Sequence, residues 1–405
     1  MTRFLWIILG LNSVLGVIAV LVAPWLDGPA QIIALSHLSV VTLLLPPLAF
    51  KRSVPALDPL LLVVVYVIVG AIIPSYLLAF YQSDRLRFIL NGLSNSVIME
   101  GSFWYLFGTF LIGCGYASCR RRIPIEHFLP TDAGISARGI QIATFIGILL
   151  TALATVLFIS VTGGLEALSA KRSVQITTAS GTVHGSGAYY RMMGDLSLFL
   201  LLIGCSFWLR NGKPLPWFST LALTLAASMI PFLASSRESV LYIFLGLLVV
   251  IGSFREISPR RLAVVLTIAS LSFITMTALR SQTQGHSEAF HMPNALIALG
   301  ESGNGLSLIG TTHILQGVPE NLPYQFGATY FSWLTAPIPR QLWPEKPDVS
   351  LGKRVRAEIL GQPVIRSGRP PSVLSEGWMN FGPVGFMLGA FWFGFSLHPY
   401  LPAAR

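Results

Sequence analysis

Apolar residues in this chain gather into long blocks, without the strict alternation of a half-buried strand. A helix needs about 20 mainly apolar residues to cross roughly 30 Å of hydrocarbon, and only a helix satisfies its own backbone there. Ten stretches meet or approach that length. They are Phe4 to Trp25, Gln31 to Phe50, Pro59 to Leu78, Ser96 to Ala117, Ile140 to Ile159, Leu196 to Leu209, Pro216 to Leu233, Ser239 to Phe254, Leu262 to Leu279 and Gly382 to Leu397. The pattern predicts an all-α, polytopic integral membrane helix bundle, a single membrane domain over residues 1–405. The first stretch is too long, and lacks the small-residue cleavage site, to be a removed signal peptide.

Composition agrees: 53% of the residues are hydrophobic and 11% charged, against about 25% charged in soluble proteins. A water-soluble globule is thereby excluded. Orientation follows from the short loops, because Lys and Arg near a span resist translocation. With the N-terminus inside, the inner face collects thirteen basic residues, among them Arg3, Lys51, Arg52, Arg120, Arg121 and Arg122, against four acidic ones. The net charge of +10 thus reports topology, and no nucleic-acid partner is expected.

This topology places two long segments outside, Val161 to Arg191 and Arg280 to Phe381. Loops of such length usually bind or catalyse something. The larger one contains the apolar runs Ala295 to Leu299 and Tyr330 to Leu334, which predict short helices and a folded cap.

Cys114, Cys119 and Cys205 lie in or beside spans without metal-ligand spacing and read as packing residues. The chain has no P-loop, H-E-x-x-H or G-x-S-x-G motif, and no metal or cofactor is expected. What stands out is arginine outside: Arg172 and Arg191 in the first long segment, Arg237 in a turn between spans, Arg280 at the end of another, and Arg340, Arg354, Arg356, Arg366 and Arg369 in the large segment. Guanidinium is always charged and forks onto phosphate oxygens, so arginines converging beside a membrane suit a lipid phosphate or pyrophosphate. Solvated charges meeting headgroups are the plain alternative.

Before the last stretch runs Gly368-Arg369-Pro370-Pro371-Ser372-Val373-Leu374-Ser375-Glu376-Gly377-Trp378-Met379-Asn380-Phe381-Gly382-Pro383. Its prolines and glycines predict irregular backbone that needs protein or water around it, the wall of a cavity. Glu376 then becomes an acid near the membrane boundary, suited to general-base work, or else the partner of Arg366 or Arg369 in an internal ion pair.

Together with Gly327-Ala328-Thr329-Tyr330 and Pro339-Arg340-Gln341-Leu342-Trp343-Pro344-Glu345-Lys346-Pro347, this block resembles the signature of the bacterial O-antigen polymerase family, the Wzy-type oligosaccharide repeat-unit polymerases. The Ser236-Arg237 tip is similar to an arginine turn of that family, whose members commonly continue past the last span seen here.

The resemblance implies a GT-C-like bundle of about ten spans with a large periplasmic loop, in a bacterial inner membrane. It implies a metal-independent glycosyl polymerase that joins undecaprenyl-pyrophosphate-linked oligosaccharides into O-antigen, capsular or exopolysaccharide at the periplasmic face. Membrane lipid, a chain-length regulator and a flippase are the implied partners.

On this reading Glu376, Arg237, Arg280 and Arg340 are the catalytic candidates. Arg172, Arg191, Arg366, Arg369, His313, Tyr330 and Trp343 are the substrate-binding ones. The outward histidines His184, His286, His291 and His313 are alternative proton acceptors. Tyr189, Tyr190, Tyr324, Tyr330, Trp333, Trp343 and Trp378 suit either sugar stacking or an interfacial belt. An O-antigen ligase and a lipid-linked glycan transporter or flippase are the rival readings; the spans, nearly free of charge, favour an enzyme over a transporter.

Overall fold

The computed structural model describes residues 2–22, 28–50, 58–80, 90, 92–119, 136–162, 177–178, 181–182, 186–211, 216–233, 237–254, 264–265, 268, 272, 306–335, 338, 342–343, 351–361 and 371–397. The chain divides into two compact units, one of Met1–Arg122 with Leu296–Pro399 and one of Ile123–Ala295 with Tyr400–Arg405.

The first unit holds α1 (Thr2–Val22), α2 (Pro29–Ala49), α3 (Pro59–Phe80), α4 (Asn95–Ser118), α9 (Leu308–Gly317), α10 (Ala328–Thr335), α11 (Leu351–Arg354, continued by a π turn, Val355–Ile359) and α12 (Val373–Ser396). The second holds α5 (Ala137–Thr162), α6 (Ser186–Arg210), α7 (Trp217–Leu233) and α8 (Arg237–Phe254), with β1 (Thr177–Thr178) paired antiparallel to β2 (Gly181–Thr182).

Among the described residues, four helices are long and apolar enough to cross a membrane: α2, α3, α4 and Ala137–Ser160 of α5. Shorter apolar helical stretches lie in α1, α6, α7 and α8. The expected span Leu262 to Leu279 and the run Ala295 to Leu299 lie almost wholly or wholly outside the described residues. On α5 the side chains of Ile142, Phe145, Ile146, Leu149, Leu153 and Val156 are all exposed, spaced to form one stripe. A continuous apolar stripe of that kind is stable against lipid and costly against water. The chain is a helical membrane protein.

One boundary differs from the hydropathy reading. α6 starts at Ser186, ten residues before the apolar run that marks it, so Tyr189, Tyr190 and Arg191 are helical and not part of a loop. Adding residues to an existing helix costs far less than nucleating one, so an apolar helix extends into polar sequence that hydropathy does not register.

α4 is the hub of the first unit, and it meets its neighbours backbone to backbone. A Cβ on Gly113 would lie 2.4 Å from the Leu43 carbonyl oxygen of α2. One on Gly115 would lie 2.0 Å from the Phe391 oxygen of α12, and one on Gly394 of α12 would lie 1.9 Å from the Ile112 oxygen of α4. Small residues let helices approach this closely where no hydrophobic force drives them together in lipid. Gly394→Ala is therefore expected to destabilise the unit by about 1–3 kcal/mol through overpacking. Gly389→Ala, whose Cβ would sit at an ordinary 3.7 Å from Gly377 Cα, should be close to neutral. Thermal unfolding of the two variants in detergent compares them directly, and equal melting temperatures would contradict the packing.

The large segment after residue 305 is woven into this unit. The Tyr105 hydroxyl of α4 donates to the Leu306 carbonyl at 2.8 Å. That carbonyl approaches Gly70 at the π turn Ile68–Ile72 of α3, where a Cβ would lie 2.0 Å away. Thr312 of α9 presses on Gly101 of α4.

Candidate functional site

The site is built where the block expected to be irregular meets the tenth expected span, Gly382 to Leu397. α12 is two helical arms joined by a reversal at Phe381 (φ −138°, ψ 20°) and Gly382 (φ 62°, ψ −145°), a backbone region open only to glycine. The arms, residues 373–380 and 383–396, fold back on each other. The place a Cβ would take on Gly377 is 2.3 Å from the Gly385 oxygen, and Gly389 faces Gly377 and Val373. Gly108 of α4 touches both Leu374 and Phe386. Trp104 of α4 meets Trp378 and Phe386, one ring from each arm, at 5.0 and 5.5 Å. Two glycines, at 377 and 385, are what let the arms lie this close. The sequence signals irregular backbone before the span; the structure shows a helical hairpin.

Arm one starts inside the protein, and its N-terminus is satisfied locally. Ser372 and Ser375 form a capping box, side chain to backbone in both directions at 3.2 and 2.7 Å, and Thr311 of α9 bonds Ser372 at 2.9 Å. The far end of the arm is capped by the turn before α10. The Gln325 and Phe326 amides donate to the Met379 and Asn380 carbonyls at 2.9 and 3.1 Å, and the Gly327 amide donates to Asn380 Oδ1 at 2.8 Å. Positive φ at Phe326 (45°) and Gly327 (88°) makes this turn possible. Arg354 of α11 steadies the same turn, donating to Gln325 Oε1 at 2.8 Å while pairing with Glu358 at 3.1 Å.

Glu376 sits between these caps. Thr329 of α10 donates its hydroxyl to Glu376 Oε1 at 2.9 Å, and Asn380, itself fully buried, donates to Thr329 Oγ1 at 2.6 Å and to the Glu376 carbonyl at 2.8 Å. Burial raises the Glu376 carboxyl above its ordinary range, and the Thr329 hydrogen bond partly opposes the shift. Tyr330 is raised too, first by burial, then by the Glu376 charge, with Asn380 working the other way.

A cavity of about 660 Å³ opens beside the hairpin. Tyr330 and Glu376 line it together with Val384, Leu388, Trp392 and Ser396 of arm two. Val384, Leu388 and Trp392 are also each more than half exposed, so the cavity opens through the apolar outer stripe of arm two. It pairs one half-buried carboxyl with an otherwise mainly apolar wall, an arrangement that suits a ligand with a polar head and a lipid tail.

Of the residues expected in the site, Glu376 and Tyr330 are brought together. His313 is buried in α9, and Trp343 is partly exposed; neither lines the cavity. Arg237 is the first residue of α8 and Arg191 lies within α6, both in the second unit, and their side chains are outside the described residues. Arg172, Arg280, Arg340, Arg366 and Arg369 lie outside the described residues altogether, as do His184, His286 and His291. Thr329 and Asn380 are not among the expected site residues, whereas Gly377 and Gly382 are expected as marks of irregular backbone. The signal was present, since the blocks Gly327-Ala328-Thr329-Tyr330 and Glu376 to Gly382 are the ones that meet in space.

Comparison of the chain with protein-family models, with curated proteins and with solved structures gave no match.

Proposed function

We propose that this protein is a membrane glycosyl polymerase of the O-antigen polymerase type, which extends a glycan carried on a polyprenyl pyrophosphate. The observation that carries the reading is Glu376, a half-buried carboxyl held by Thr329 at the edge of a cavity that opens through an apolar helix face. The resemblance of the two blocks that build this site to the polymerase signature supports it. About ten spans, an N-terminus in the cytoplasm and a site at the outer face of a bacterial inner membrane belong to the same proposal, on the strength of the charge asymmetry of the loops.

In the reaction, Glu376 takes the proton from an acceptor sugar hydroxyl. The acceptor oxygen bonds the anomeric carbon of the donor, the anomeric carbon to pyrophosphate bond breaks, and its electron pair leaves with the diphosphate. Arg237, Arg280 and Arg340, supported by Arg172, Arg191, Arg366 and Arg369, meet the charge that develops there. Apolar walls admit the lipid carrier sideways.

Purified protein in proteoliposomes, supplied with a polyprenyl-pyrophosphate oligosaccharide, should lengthen the glycan, with or without EDTA. Failure to elongate, or strict dependence on a divalent ion, would contradict the reading. Because a general base works ionised and burial raises this carboxyl, the rate should climb with pH through an inflection above the ordinary carboxylate range. A flat profile from acid to neutral pH would remove Glu376 from the role.

A further inference from the structure

The hydrogen bonds around Glu376 have a direction that the heavy-atom distances alone fix. A backbone amide can only donate, so the Gly327 N–H at 2.8 Å identifies the Asn380 atom facing it as the oxygen. The Asn380 nitrogen must then face the other way, where it donates its two protons to Thr329 Oγ1 and to the Glu376 carbonyl. The Thr329 hydroxyl, which accepts from Asn380 with one lone pair, sends its own proton to Glu376 Oε1 when the carboxyl is ionised, since a carboxylate only accepts. In the carboxylate Oε1 accepts this bond, and no hydrogen bond to Oε2 exists among the described residues.

We propose that Thr329 and Asn380 are positioning residues for Glu376, reserving Oε1 as a fixed acceptor so that the proton taken from substrate arrives on Oε2. The inference rests on the reading of Glu376 as the proton acceptor. The chain of donors runs from the turn at Gly327 through arm one to α10, so it also locks the rotamer of a carboxyl that would otherwise swing in a wide cavity. Among the described residues, the titratable group that interacts with the carboxyl's charge is Tyr330, and Arg354 is engaged with Gln325 and Glu358.

The test labels the full chain in proteoliposomes with dicyclohexylcarbodiimide, which modifies protonated carboxyls in apolar surroundings, and follows Glu376 by mass spectrometry across pH. Thr329→Val removes the donor without changing shape, and its labelling midpoint should move up by about one pH unit. Thr329→Ser should restore the wild-type midpoint. In the elongation assay Thr329→Val should lower kcat and move the pH inflection up by the same amount, with KM for the lipid-linked donor unchanged.

A Thr329→Val protein that melts like wild type and keeps the wild-type midpoint would overturn the proposal. Asn380→Leu should shift the midpoint the same way; if that variant does not fold, Thr329→Val decides alone. Labelling does not depend on turnover, so a shifted midpoint in a protein that elongates nothing would uphold the hydrogen-bond geometry and reject the polymerase reading separately.

Discussion

Glu376→Gln is expected to abolish glycan elongation, lowering the rate by about a hundredfold or more, while the protein stays folded. General-base groups contribute about 10²–10⁴-fold, and Gln keeps the shape of the side chain. Its amide oxygen can still accept from Thr329, so the link between α10 and arm one survives the substitution. The carboxyl's second oxygen is what is lost, and with it the acceptor that Thr329 leaves open. Melting temperature and chain-length distribution should be read on the same preparation. Normal chains from a variant of unchanged stability would take Glu376 out of the chemistry.

The second large effect concerns the arginines. Arg237→Ala and Arg340→Ala should each leave protein in the membrane but eliminate long glycans, at a cost on the order of 3 kcal/mol in the transition state, or about a hundredfold in rate. A departing pyrophosphate gathers charge, and in surroundings poor in water a preplaced guanidinium is worth far more than in solution. Arg237 opens α8, and the start of a helix carries positive partial charge, which adds to the attraction for phosphate there. Lys at either position keeps the charge but not the two-pronged geometry, so it should restore only part of the rate. Wild-type ladders from both Ala variants would show that the leaving group is handled elsewhere.

Long apolar helices were the most legible part of this chain. α2, α3, α4 and α5 begin and end within a few residues of their apolar blocks, because the length needed to cross hydrocarbon is a property of the block itself. The hairpin was legible only as irregularity. Pro383 and the glycines at 377, 382 and 385 mark a place where one helix cannot run straight, but the reversal depends on Gly108 and Trp104 of α4 receiving both arms, a contact distant in sequence.

Glu376 could be picked out because a lone acid beside an apolar run is conspicuous. Thr329 and Asn380 could not, since uncharged polar residues acquire their meaning only from partners about fifty positions away. His313 shows the converse. Its place in the large outside segment suggests an outward imidazole, yet it is buried in α9 together with Thr311 and Thr312, which meet Ser372 and α4.

The central claim is that the cavity beside Glu376 receives a lipid-linked glycan from the bilayer. Photocrosslinking with a polyprenyl-pyrophosphate oligosaccharide that carries a diazirine near the head of its lipid tests it most directly. The account predicts adducts on Val384, Leu388 and Trp392, competed by unlabelled lipid-linked oligosaccharide and lost when Leu388→Trp fills the opening. Adducts confined to other helices, or unaffected by that substitution, would contradict it.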